Sequence, residues 1–176
     1  DSFGTAEQAW SASPQALQQA GLPSRLVDNL ERLRSDVSLQ KIWDDIHAQD
    51  IQVLIWEDDD YPTRLRDLDN APPVLYLRGE ISLDDDWAVA IVGTRRATSY
   101  GRQVAEKIAR EMAHNGVTVV SGMARGIDGV AHRAALDAGG RTLAVLGCGV
   151  DRIYPPEHRH LAEDIISQGA LISDYL

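Results

Sequence analysis

From Trp87 to Leu176 the chain repeats one alternation. A run of apolar residues of strand length is followed by a segment with apolar residues three or four apart. The runs are AVAIVG (88–93), VTVVSG (117–122), RTLAVLG (141–147) and ALISDY (170–175). Between them lie YGRQVAEKIAREMAHNG (100–116), DGVAHRAALDAGG (128–140) and PPEHRHLAEDIISQG (155–169). Val104, Ile108 and Met112 share a face of the first helix, and Leu161, Ile165 and Ile166 share a face of the third. Strands apolar on both sides belong to parallel sheets covered on both sides, and a crossover helix is what lets parallel neighbours form. Asn115-Gly116 and Gly139-Gly140 end two of the helices, and Asp128 stands where it can cap one. The fold class is therefore α/β, with a doubly wound parallel sheet.

The preceding residues follow no such rule. Residues 6–48 read as short helices. Ser13 is an N-cap with Pro14 at the first helical position, and Gly21-Leu22-Pro23 breaks the chain. The next helix aligns Leu26, Leu30 and Leu33. A helix over 39–48 carries Leu39, Ile42, Trp43 and Ile46. Two helices around a Gly-containing turn can touch DNA through hairpin amides, but Asp28 and Glu31 disfavour that use and point to packing or protein contact. A strand at 51–55, a short helix near 63–68, a strand at 74–78 and a linker, ISLDDDW, come next. This organisation gives a small helical domain over 1–50, a lead-in segment with short strands and linker over 51–84, and the parallel-sheet domain over 85–176. Doubly wound sheets generally carry five or more strands, so that last domain is expected to continue beyond Leu176.

Composition bears on partners. The formal charge of −10 argues at first against nucleic acid. Its distribution reverses that view. Residues 1–86 hold 7 basic and 18 acidic side chains, and residues 87–176 hold 10 and 9. EDDD (57–60) and DDD (84–86) read as solvated loops. The second half is free to build a local positive site, and arginine, which supplies nearly all its basic charge, suits bidentate phosphate contacts. A lone Cys148 excludes an internal disulfide and a multi-cysteine metal site. No apolar run nears the roughly 18 residues of a membrane span, and no signal-peptide pattern opens the chain. A cytoplasmic location is expected, with no cofactor and no membrane partner.

Ligands of open α/β sheets bind outside the carboxyl ends of the strands. Three loops emerge there: GTRRATSYG (93–101), SGMARGID (121–128) and GCGVDRIYPPEHR (147–159). Each opens on small residues that let backbone amides approach an anion, each leads to a helix N-terminus, and each brings arginine. The candidate nucleic-acid-binding residues are Arg95, Arg96, Ser99, Gly101 and Arg102 from the first loop, Ser121, Gly122, Arg125 and Gly126 from the second, and Arg159 from the third. Arg125 also has a plainer reading, as the partner of Asp128 or another nearby carboxylate. The first loop lacks the GxGxxG dinucleotide fingerprint, and the second lacks the GK[ST] of a triphosphate loop. His132 reads as a packing residue, and His158 and His160 as surface. Cys148 has no oriented base and Ser121 no nucleophile elbow, so no enzyme activity is expected.

GTRRATSYG, SGMARGIDGVAHRAAL, GRTLAVLGCGVDRIYPPEHRHLAEDI and LISDY, in this order and spacing, resemble the DNA-processing protein A family, also called Smf. DYPTRLRDLDNAPPVLYLRG is similar to that family's lead-in, and the N-terminal helices to its sterile-alpha-motif-like domain. The resemblance implies a Rossmann-like domain that binds single-stranded DNA without strong sequence preference. It also implies a role in protecting incoming DNA and loading the RecA recombinase during natural transformation, and a homodimer for the full-length protein. By resemblance Arg95 is a phosphate-binding arginine, Arg159 a second basic contact, and Ser121, Gly122 and Gly126 line the same pocket. Asn is common in the family where this chain has His158. The rival expectation is a Rossmann-type protein that binds or processes a nucleotide derivative.

Overall fold

The computed structural model describes residues 2–176, which form two compact units, one ending at Asp45 and the other Ile46–Leu176. The first is helical. It holds α1 (Ala6–Ser11), α2 (Pro14–Gln19), α3 (Ser24–Asp36) and the start of α4 (Leu39–Ala48). Ser13 caps α2 through its hydroxyl, which accepts from the Ala16 N–H, and Pro14 sits just inside the helix, as the sequence predicts. Arg34 donates to the carbonyls of Ala9 and Ala12 at 3.0 and 2.9 Å, supporting the end of α1, where carbonyls lack full helical pairing. The buried face of α3 centres on Val27, whereas Leu26 and Leu33 stay about half exposed, unlike the predicted stripe.

The second unit is built on one six-stranded sheet in the order β1-β2-β6-β5-β4-β3. The strands are β1 (Gln52–Ile55), β2 (Val74–Gly79), β3 (Ala88–Ala90), β4 (Thr118–Ser121), β5 (Thr142–Val145) and β6 (Ala170–Ser173). β3 through β6 are parallel, with Val89 beside Val119, Val120 beside Leu143 and Ala144 beside Leu171. β1 and β2 are antiparallel additions, and Leu77 pairs with Ile172. Residues 51–84 are thus part of the sheet rather than a lead-in to it, and no boundary falls near residue 84. The α/β class stands, with a mixed sheet in place of a wholly parallel one.

Crossover helices α6 (Ser99–His114), α7 (Ile127–Asp137) and α8 (Arg159–Gln168) join the parallel strands. The strands step always the same way, so right-handed crossovers place all three helices on one face. Ala109 and Ala113 of α6 meet Ala131, Ala134 and Ala135 of α7 over Val119, and small side chains let these helices approach closely. Leu161, Ala162 and Ile165 of α8 pack on Ala144 and Leu171. The other face is covered by the lead-in segment, where Tyr61 and Leu65 from the one-turn helix α5 (Thr63–Arg66) and its approach lie against Leu75, Leu77 and Ile172. A groove of about 690 Å³ continues this face over Val120, Leu143 and Val145. No helix among the described residues is long and apolar enough to cross a membrane.

The acidic run at 84–86 is not uniformly solvated. It forms a 3-10 turn, and the Asp85 side chain is only 6% exposed. Its carboxylate accepts from Arg141 Nε and Nη2 at 3.0 and 2.8 Å, from Thr118 Oγ1 at 2.8 Å and from the Ser82 N–H at 2.8 Å. Burial works to raise this carboxyl, but the Arg141 hydrogen bonds, with those from Ser82 and Thr118, hold it below its ordinary value. The expected linker is a clasp between the approach to β3 and the starts of β4 and β5.

Candidate nucleic-acid interface

The structure fuses the three predicted loops into one surface. Gly126 brings the first two together. Its φ is +84°, and a Cβ there would lie 2.2 Å from the Thr94 carbonyl oxygen and 2.8 Å from Arg95 Cα. Only a residue without a side chain allows this approach. The next amide, Ile127 N–H, donates to the same Thr94 carbonyl at 3.3 Å. The second and third loops meet through His158, whose Nδ1–H donates to the Met123 carbonyl at 2.8 Å. The imidazole lies against Gly129, where a Cβ would come within 2.8 Å of its Cε1.

Asp128 sits inside the first junction, 6% exposed. It does not cap its own helix: Gly126 is the N-cap of α7, and no side chain caps that end. Instead the carboxylate accepts from the N–H groups of Gly93, Gly122 and Ala124 at 3.4, 3.2 and 3.4 Å. The amides expected to receive a ligand anion already hold an anion of the chain itself. Ser121 is 3% exposed and its hydroxyl donates to the Ile91 carbonyl at 2.6 Å. Ser121 and Gly122 therefore brace the loop, Ser121 from within and Gly122 through its N–H to Asp128.

The other candidates lie outside. Arg95, Arg96, Ser99, Arg102 and Arg159 are exposed, while Gly101 is half-buried and gives its N–H to the capping Thr98 hydroxyl at 3.1 Å. Arg95, Arg96 and Arg159 have no ion pair or side-chain hydrogen bond among the described residues. Arg102 donates through Nε to the Ala97 carbonyl at 3.4 Å. Tyr100 and Tyr154 expose 76% and 57% of their surface. Beside the junction a shallow groove of about 340 Å³ runs between Arg102, Gly126, Gly129, Arg133 and His158. Arg125 is paired, though with Glu157 rather than Asp128. Its Nε and Nη2 donate to Glu157 Oε1 and Oε2 at 2.5 and 3.0 Å, and its guanidinium lies 5.9 Å from the centre of the Tyr154 ring. Each partner shifts the other further into its charged form: the Glu157 hydrogen bonds raise Arg125, and those of Arg125 lower Glu157.

Behind the loops His132 is fully buried, the packing role predicted for it. Thr142 Oγ1 donates to the Val119 carbonyl at 2.7 Å, so it must accept from His132 Nδ1–H, also at 2.7 Å. That fixes the neutral tautomer and leaves Nε2 buried without a donor. Burial, reinforced by the nearby His158, drives the His132 pKa down to about 3. Sequence reasoning missed Asp128, Glu157 and His158 as organisers of the site. The charge of Asp128 and Glu157 at loop ends was the only available signal, and it does not name partners.

Among the described residues no cluster of His, Cys, Asp and Glu is placed to hold a metal ion. Cys148 Sγ donates to the Arg152 carbonyl at 3.5 Å, and the side chain packs against the core beneath α8. The exposed chemistry is cationic and aromatic, set on a rigid joint of three loops.

Comparison with known proteins gives the same picture of kinship. Residues 52–176 match the family described as DNA recombination-mediator protein A. The chain is 36% identical to protein Smf of Synechocystis over 98% of its own length and 45% of that protein's. It is 47% identical to the putative DNA processing protein DprA of Mycobacterium tuberculosis over 64% of its length and 29% of the relative's. The X-ray structure of DNA processing protein A from Streptococcus pneumoniae superposes with a TM-score of 0.77 at 30% identity, covering 92% of this chain and 56% of that one. That of Helicobacter pylori, described for its unique single-stranded DNA binding mode, superposes with a TM-score of 0.62 at 35% identity, over 71% and 55%. The chain spans less than half the length of these curated relatives. With its sheet, its three fused loops and a match over most of its length, the chain belongs to the DNA recombination-mediator protein A family.

Proposed function

We propose that this chain binds single-stranded DNA by its phosphate backbone and serves recombination as a binding protein, not an enzyme. One observation carries the reading. In a chain with 27 acidic and 17 basic side chains, Arg95, Arg96 and Arg159 stand exposed and, among the described residues, without ion-pair partners on loops joined into one surface. Leaving cations unpaired amid so many carboxylates suits a surface that receives a polyanion. Arg102, Ser99, Gly101 and Gly126 complete the proposed contact, and Tyr100 and Tyr154 offer faces on which bases stack. The Helicobacter relative, described as binding single-stranded DNA, supports the assignment. The family description supports a role in recombination; the finer part of the proposal, a cytoplasmic homodimer of the full-length protein handing the strand to a RecA recombinase in transformation, rests on the family resemblance. A mononucleotide site is the weaker reading, because Asp128 occupies the amides that a diphosphate needs.

Phosphate contacts by Arg95, Arg96 and Arg159 alone predict a log–log salt dependence with a slope of about −2 or steeper for a single strand, at roughly 0.7 per phosphate neutralised. Arg95→Ala in the full-length protein is expected to weaken binding of an oligothymidine roughly five- to tenfold and to flatten that slope by about 0.7. Fluorescence anisotropy across a salt series measures both. Affinity indifferent to salt and to the substitution, or saturable mononucleotide binding without oligonucleotide binding, would sink the proposal.

A further inference from the structure

We propose that Glu157 acts as an internal stand-in for phosphate, holding Arg125 out of the binding surface until a DNA phosphate displaces it. The inference rests on the single-stranded DNA reading above. Among the described residues, Arg125 is held where its exposed neighbours are free. Arg95, Arg96 and Arg159 are unpaired, whereas both nitrogens of the Arg125 fork meet both oxygens of one carboxylate. A phosphate presents the same two-oxygen edge to a guanidinium, so carboxylate and phosphate compete for one set of donors.

The location suits an exchange. Arg125 directly precedes Gly126, the joint between the first two loops, and Glu157 directly precedes His158, the joint to the third. The pair therefore spans the surface on which the strand would lie. Both side chains are about half exposed, at 50% and 51%, and ion pairs that wet are held weakly and screened by salt. Tyr154 lies under the guanidinium and would keep it oriented after release, since a cation over an aromatic face stays attracted whichever anion it pairs with. A carboxylate in this position lowers affinity for short or poorly placed strands and yields to a polyanion that several arginines already hold. The gate sets a threshold rather than a block.

A double-mutant cycle in the full-length protein tests it, with oligothymidine binding read across a salt series for wild type, Glu157→Gln, Arg125→Gln and the double variant. Glu157→Gln is expected to tighten binding about three- to tenfold with the salt slope little changed, because Arg125 reaches its phosphate in both complexes, whereas Arg125→Gln should flatten the slope by about 0.7. In the Arg125→Gln background the gain should vanish. A Glu157→Gln gain that persists without Arg125 means a general field effect and overturns the gate, as does no gain or a loss. If wild type and Glu157→Gln alike fail to bind the oligonucleotide, the DNA reading falls and the gate with it. Binding that depends on Arg95 but ignores Glu157 overturns the gate alone. Unfolding midpoints should match wild type in all three variants, because a half-exposed pair contributes little to stability.

Discussion

Asp128→Ala is expected to destabilise the second unit by roughly 3 kcal/mol, the cost of leaving several amides without the acceptor they fold around. The carboxylate serves Gly93, Gly122 and Ala124 from two loops at once, and it is almost wholly buried. Water reaches Gly93 most easily, which keeps the cost below the sum of three separate losses. Asp128→Asn keeps one acceptor oxygen but turns an NH2 group towards N–H donors, so an intermediate loss is expected. Urea unfolding gives the stability of each variant. The loss should extend to function: with the joint loosened, Arg95 and Gly126 no longer hold a common surface, and DNA affinity should fall even where the protein remains folded. An alanine variant with the wild-type midpoint would show that the three amides find other partners.

Acidification should cost a comparable amount through His132. Its folded pKa of about 3 lies below the ordinary 6.5. Between those values the unfolded chain binds a proton that the folded chain refuses, so stability falls as pH falls. The full stability is present above about pH 6.5, and the loss reaches roughly 3 kcal/mol at pH 4 and roughly 4 kcal/mol near pH 3. Asp85 adds to this at the acid end. Its carboxyl is held below its ordinary value, so its contribution is present above that ordinary value and is lost as pH drops through the lowered one. Urea midpoints at pH 7, 5.5 and 4 for wild type and His132→Gln measure the effect. The glutamine variant should show the shallower pH dependence between pH 6.5 and 4, and equal slopes would place the acid sensitivity elsewhere.

Local pattern made the parallel half of the sheet legible. Apolar runs placed β4, β5 and β6 within a few residues, and four-residue spacing placed α6. β3 proved shorter than its apolar run, because the chain leaves the ladder after Ala90 to enter the first loop. What the sequence concealed depends on partners far along the chain. Nothing in VLYLRG says that its neighbour is β6, so residues 51–84 read as a separate segment. Asp85 looks like one member of a charge run, and its burial follows from Arg141 and Thr118. Asp128 stands at a helix start, where capping is the local inference, yet its first acceptor bond reaches back to Gly93. The arginines of the surface were readable because exposed charge needs no partner, whereas the carboxylates that organise them were not.

The antiparallel insertion of β2 against β6 has a consequence for synthesis. A ribosome makes the β1–β2 hairpin well before its docking edge, since Leu77 pairs with Ile172 and Tyr76 with Ser173. Until β6 emerges, Leu75 and Leu77, both buried in the finished protein, have only Tyr61 and the lead-in segment for cover. Pairings this distant in sequence form slowly and leave strand edges open meanwhile. The nascent chain therefore carries a waiting hairpin while the whole parallel array is made, and β6 closes the sheet as a latch closes a door.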